Sequence, residues 1–226
     1  MNNIKLVMFD LEGVLIKHTT RQSAIIKESI EAQGVKVSIS IEENYFLRSI
    51  PEFRPAIVFI KEILRRDGQE LSEEQIEKAV KRYRELRQKP DYLADLQYLF
   101  DGSKELLEKL KEKGIICALI SNSNPKQVHS LLKRFGIEKY FDLIVDDSSG
   151  LPDKPDPTRT KLVLEKFSIL PKESILVEDA ASNLATMKEL GVKTCGVLTG
   201  NSTREMFEKE NVEYILDSIK DLEQML

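Results

Sequence analysis

The chain is short of the features that most directly restrict where and how a protein works. It has only two cysteines, Cys117 and Cys195, in 226 residues. They show neither a zinc-site spacing nor a disulfide framework, and both fall inside apolar runs. They therefore read as structural thiols, and a reducing cytoplasm is expected. No apolar stretch approaches the roughly 20 residues that cross a bilayer, so no membrane association is expected. Nor does a basic segment followed by a long apolar core open the chain, so no signal peptide is predicted. An excess of basic residues is also missing. The formal net charge is −4, from 34 Lys+Arg against 38 Asp+Glu, and the two signs are interspersed. That pattern excludes a nucleic-acid-gripping face but leaves room for a small anion at a locally positive site. Repeats and low-complexity segments are absent as well.

What is present is a chain 41% hydrophobic, able to bury a substantial core in one large or two small domains. Its second half alternates strands and helices. Residues 115–120 form a continuous apolar run, as expected of a strand covered on both faces. Residues 143–145, 174–177 and 194–198 are similar but shorter. Asn124 can cap a helix with Pro125 in its first position and Gln127 at the capping-box position. Gly136 and Gly191 stand where helices should stop. The alternation predicts an α/β fold with a parallel, doubly wound sheet whose site lies outside the carboxyl ends of its strands.

Between about residues 19 and 99 the pattern becomes helical, with segments predicted at 20–33, 41–50, 54–66 and 73–89. Ser72 and Gln75 make a capping box for the last. The expected organisation is a core of residues 1–17 and 97–226, split by a helical domain of residues 18–96. Because the insertion follows the first strand so closely, it is expected to act as a lid over the site. Charge-rich residues 73–87 read as a solvated helix face.

Four polar sites carry the chemistry. Asp10 ends the run Ile4-Lys5-Leu6-Val7-Met8-Phe9, with Glu12 and Gly13 just beyond. A strand end opening into a tight turn suits this carboxylate pair, although Asp at a strand end often only starts a turn. Ser121-Asn122-Ser123-Asn124 precede the helix at Pro125, offering a hydroxyl and backbone N–H groups to an anion. Lys154 sits in the proline-stiffened segment Asp153-Lys154-Pro155-Asp156-Pro157, where the bland reading is a surface lysine. Glu178-Asp179 follow the strand at 174–177 and suit a hard cation, or a helix N-cap. Each site follows a predicted parallel strand, so all four converge on one edge of the sheet.

In that order the segments resemble the motifs of the haloacid dehalogenase-like hydrolase superfamily, in its phosphatase branch with a helical cap. Asp10-Leu11-Glu12-Gly13-Val14-Leu15 looks like the first motif, Ser121-Asn122 the second, Lys154-Pro155 the third and Glu178-Asp179 the fourth. Leu106–Gly114 and Gly196-Val197-Leu198-Thr199-Gly200 are similar to further phrases of that branch. The resemblance implies a Rossmann-like core and a Mg2+-dependent phosphatase working through an aspartyl-phosphate. Asp10 would be the nucleophile and Glu12 the acid and base. Ser121, Asn122 and Lys154 would bind phosphate, and Lys154 would also stabilise the transferring charge. Asp10, the Glu12 carbonyl and Asp179 would hold the metal, with Glu178 assisting.

One departure is the glutamate at position 12, where most of the family has aspartate. Some active phosphatases of the superfamily also carry Asp-x-Glu, so Glu12 is read as a working acid/base. Ser182 and Asn183 stand where a further acid is common. The partner implied is a small phosphorylated metabolite, with a monomer or homodimer expected. The alternatives are a sugar-phosphate phosphomutase and a non-catalytic phosphometabolite-binding protein. Lys17, His18, Arg21 and Arg54 are available to read a second anionic group, with exposure or a hinge role as the simpler reading. No catalytic role is expected for His129.

Overall fold

The computed structural model describes residues 3–53 and 55–226. Its sheet has six strands: β1 (Leu6–Phe9), β4 (Ile116–Ile120), β5 (Leu143–Val145), β6 (Ser174–Glu178), β7 (Lys193–Val197) and β8 (Tyr214–Leu216). Their order is β5-β4-β1-β6-β7-β8, and every neighbouring pair is parallel. The remaining strands, β2 (Ile16–Lys17) and β3 (Tyr98–Leu99), pair antiparallel with each other.

The strands are apolar throughout because the sheet is covered on both sides. Successive side chains point to opposite faces. Val7, Phe9, Cys117 and Leu119 join one cluster with Leu106, Leu107 and Leu110 of α5 (Ser103–Glu112) and Val128 and Leu131 of α6 (Pro125–Arg134). Leu6, Met8, Ala118 and Ile120 face the other way. They pack with Val163 of α7 (Thr158–Phe167), Leu184 of α8 (Ala181–Leu184), Met187 of α9 (Met187–Leu190) and Phe207 of α10 (Arg204–Lys209). Both cysteines are buried free thiols, and burial pushes each up to about 12.

Helix boundaries follow the caps. Asn124 Oδ1 accepts the Gln127 N–H at 3.0 Å with Pro125 in the first turn. Gly136 and Gly191 follow α6 and α9 with φ of 65° and 75°.

The chain forms two compact units, Met1–Lys17 with Tyr98–Leu226, and His18–Gln97. The second contains α1 (Thr19–Glu31), α2 (Ile41–Ser49), α3 (Ala56–Arg66) and α4 (Glu73–Arg87). It has its own core, including Ile25, Ile26, Phe59, Ile60, Ile63, Ile76, Ala79 and Tyr83. Reciprocal capping boxes start α2 at Ser40/Glu43 and α4 at Ser72/Gln75.

Sequence periodicity misses β3, β8 and α10, which are two, three and six residues long and too short to show a period. An exposed role for His18 and Arg21 is overturned. Arg21 is 1% exposed and donates to the Tyr92 and Lys89 carbonyls at 2.7 Å each and to Leu86 at 3.4 Å. It binds the end of the insert to its beginning. His18 is buried with Nδ1 2.8 Å from the Gln97 amide, also joining the two ends. Arg54 lies outside the described residues.

Candidate active site

Asp10 leaves the sheet at its carboxyl edge, its own N–H donating to Val177 O at 3.0 Å. The loop beyond turns back at once: Gly13 N–H donates to Ile16 O at 2.8 Å with Gly13 at φ +90°. Lys154, which composition alone would put on the surface, is buried. Its Nζ lies 2.5 Å from Asp10 Oδ1 and 2.5 Å from Glu178 Oε1, and donates to Ile120 O at 2.9 Å. A buried ammonium is tolerated when its protons are matched in this way. The Lys154–Pro155 peptide is cis.

The charges do not cancel. Asp10, Glu178 and Asp179 each offer an oxygen within 4.8 Å of the others, against one lysine. Burial pushes Asp10 up to about 7; Lys154 opposes the shift, while Glu178 and Glu12 add to it. Asp179 is held well above the usual carboxylate range by burial first, then by Glu178 and Asp10. Burial works against the Lys154 charge, but Asp10 and Glu178 outweigh it and keep the ammonium above the ordinary lysine range. The set is short of positive charge and is built of hard oxygen donors, so it fits a small divalent cation.

Asp179 is tightly collared. Asn201 donates to Oδ2 from its backbone at 2.9 Å and from its side chain at 2.7 Å. A Cβ on Gly13 or Gly200 would stand 2.3 or 2.1 Å from Oδ2, so side chains are excluded at both positions. Thr199 Oγ1 ties the two loops together through Gly13 O at 2.7 Å. Glu178, fully buried, has both oxygens engaged. Oε1 accepts from Lys154 and, at 2.9 Å, from Asn183; Oε2 accepts from the Asp179 and Ala180 N–H groups at 3.1 and 3.3 Å.

Ser121 follows β4, its N–H donating to Val145 O at 2.9 Å and its Oγ accepting from the Ser123 N–H at 3.1 Å. Two N–H groups of the expected anion cradle, those of Ser121 and Ser123, are therefore already occupied. Asn122 joins this loop to the lysine loop: its Oδ1 accepts the Lys154 N–H at 2.9 Å and its Nδ2 donates to Lys154 O at 3.2 Å. Arg159 of α7 completes the junction. It is fully buried and donates to Ser121 O, to Asn122 Oδ1 at 3.2 Å, to Leu151 O at 3.0 Å and to Asp153 at 2.9 Å. Glu12 accepts from Gln127 Nε2 at 2.6 Å, while Ser123 Oγ stands 3.4 Å from its other oxygen. His129 faces Glu138 at 2.6 Å and Asp146 at 3.7 Å.

Asp10, Lys154, Glu178 and Asp179 thus meet in one buried set, with Ser121 and Asn122 tied to the lysine loop. The family model for haloacid dehalogenase-like hydrolases matches residues 7–197, from Asp10 through Asp179. The chain belongs to the haloacid dehalogenase-like hydrolase family. It is a hydrolase, phosphatase-like in its relatives, with a helical insert after β2. The phosphoglycolate phosphatase of Vibrio parahaemolyticus is 24% identical over 97% of this chain and 95% of its own. The glyceraldehyde 3-phosphate phosphatase of Pyrococcus furiosus is 26% identical over 100% of this chain and 94% of its own. The crystal structure of a predicted phosphoglycolate phosphatase from Haemophilus somnus shares the fold, with a TM-score of 0.80 at 21% identity over 100% of this chain and 99% of that one.

Sequence alone passes over Arg159 and Asn201 and gives Gln127 only a capping role. Neither of the first two carries a local signature, since each matters through a loop distant in sequence. Thr199 and Gly200 stand out only as parts of one phrase, which shows neither the Thr199 bond to Gly13 nor the closeness of Gly200 to Asp179.

Proposed function

We propose that this hydrolase is a magnesium-dependent phosphatase acting on a small phosphorylated metabolite. The observation that carries the reading is the buried set of Asp10, Lys154, Glu178 and Asp179 at the carboxyl edge of the sheet. A nucleophilic carboxylate beside a lysine, with acidic groups short of positive charge, suits attack on a phosphate ester. The names of the relatives, which act on phosphoglycolate and glyceraldehyde 3-phosphate, support a short phosphate monoester as substrate.

In this reading Asp10, the Glu12 carbonyl and Asp179 hold magnesium. The ion, when bound, supplies neutralisation of the negative charge on the transferring group. Glu178, with both oxygens engaged, fixes Lys154 and leaves direct ligation to its neighbours. Asp10 attacks phosphorus in line, an oxygen–phosphorus bond forms on its carboxylate, and the bond to the leaving alcohol breaks. Glu12 gives its proton to that alcohol oxygen. Lys154, Ser121 and the Asn122 N–H stabilise charge on the phosphoryl oxygens. Glu12 then takes a proton from the water that attacks phosphorus, which frees inorganic phosphate and restores Asp10.

The test is phosphate release from p-nitrophenyl phosphate, 2-phosphoglycolate, glyceraldehyde 3-phosphate and a panel of sugar phosphates. Each is assayed with magnesium and with EDTA, in the wild type and in Asp10→Asn. Release that requires both magnesium and Asp10 is expected. Release that survives EDTA or the substitution contradicts the proposal. Isomerisation of a sugar phosphate without net release would point to a mutase.

A further inference from the structure

Glu12 carries one methylene more than the aspartate usual at its position, and the first turn of α6 accommodates it. Gln127 is the third residue of that helix. Its backbone N–H makes the expected bond to Asn124 Oδ1 at 3.0 Å, yet its side chain does not close a capping box. Instead Nε2 donates to Glu12 Oε1 at 2.6 Å. Gln127 is 4% exposed, so its amide is held in place by the packing around it. Ser123 Oγ, 3.4 Å from Oε2, borders the same carboxylate from the loop before the helix.

We propose that Gln127 is a positioning residue for Glu12, and that the two are a matched pair. The inference rests on Glu12 being the acid and base of the proposed phosphatase. A glutamate has one more rotatable bond than an aspartate, and proton transfer demands that its carboxylate return to one place. A charge-assisted hydrogen bond from a buried amide, anchored on a helix, supplies that constraint. The longer side chain reaches Gln127, whereas an aspartate at position 12 ends about one methylene short of it. Aspartate is therefore the wrong length for this chain, although it is common elsewhere in the family.

The experiment is a double-variant cycle in steady-state kinetics with p-nitrophenyl phosphate and magnesium. Gln127→Met keeps length and volume but removes the donor. It is expected to lower kcat about ten- to a hundredfold, the scale of a misplaced catalytic group. KM and the magnesium concentration for half-activation should stay within about twofold, a split that a general loss of packing would not produce. Glu12→Asp is expected to be slower than wild type, and the double variant no slower than the slower single one, because the contact is already gone. Wild-type kcat in Gln127→Met, losses that multiply in the double variant, or a Glu12→Asp enzyme faster than wild type would overturn the pairing. Should Gln127→Met melt far below wild type, Gln127→Asn takes its place. It keeps the amide but withdraws it by one methylene, and is expected to show the same loss of kcat. A wild type that hydrolyses no ester overturns the phosphatase reading and the pairing together. A wild type that turns over normally beside an unaffected Gln127 variant overturns the pairing alone.

Discussion

The two units of this hydrolase place their charges differently. In the sheet unit Asp10, Lys154, Arg159, Glu178 and Asp179 are each 9% exposed or less, and most lie at strand ends or in the loops after them. In the helical insert charge is largely kept outside, in pairs such as Lys61–Glu73, Lys78–Glu74 and Lys81–Glu85. The exceptions there are cations used for packing. Arg21 sits on backbone carbonyls, and Arg48 stacks 4.6 Å from the Phe59 ring centroid and donates to the Tyr83 hydroxyl. A helix can satisfy its backbone and bury an apolar stripe without burying charge. A buried set of three acids and one lysine costs folding free energy, so its presence at one sheet edge marks where chemistry is done.

That contrast can be broken in order of effect. Asp10→Asn should lower turnover by at least about 10³-fold, as loss of a nucleophile does, while leaving the fold intact by circular dichroism. Ile63→Ala removes a side chain from the insert's core and should destabilise that unit by about 2–5 kcal/mol. Amide exchange is expected to accelerate across α1, α3 and α4, with β1, β4 and β6 little affected. Arg159→Met strands the Ser121 and Leu151 carbonyls and should cost about 2–4 kcal/mol in urea melts, with kcat falling more than KM changes.

Metal affinity should depend on pH through Asp10. Its carboxyl is pushed up to about 7 by burial, and a metal competes with its proton. Magnesium affinity is therefore expected to fall at least about tenfold for each pH unit below 7, because Asp179 is also held above the usual carboxylate range by burial, read by calorimetric titration. A flat profile from pH 5 to 8 would remove Asp10 from the ligand set. The smallest effect belongs to the insert's surface: Lys61→Gln, breaking an exposed pair with Glu73, should change stability by less than about 0.5 kcal/mol.

Much of the fold was legible because a sheet covered on both faces writes continuous apolar runs, and β1, β4 and β6 are such runs. Asp10, Ser121, Glu178 and Asp179 could be placed because a parallel sheet brings the ends of its strands to one edge. Lys154 was harder. Its loop looks like surface, and only its contacts with Asp10, Glu178 and the Ile120 carbonyl reveal why it is buried. Arg159 and Asn201 were invisible for the same reason, since their partners come from other loops. Gln127 misled in a more instructive way. Its spacing from Asn124 predicts a capping box, and its backbone obeys, but the side chain has a stronger partner in the Glu12 carboxylate.

In the proposed reaction Asp10 carries the phosphoryl group. Mixing enzyme, magnesium and a turned-over phosphate ester, quenching in acid within milliseconds and mapping the peptides by mass spectrometry tests it directly. A phosphoryl adduct on Asp10 that forms and decays as fast as turnover, and is absent from Asp10→Asn, is expected. Rapid turnover with an unmodified Asp10 peptide at every quench time would contradict it.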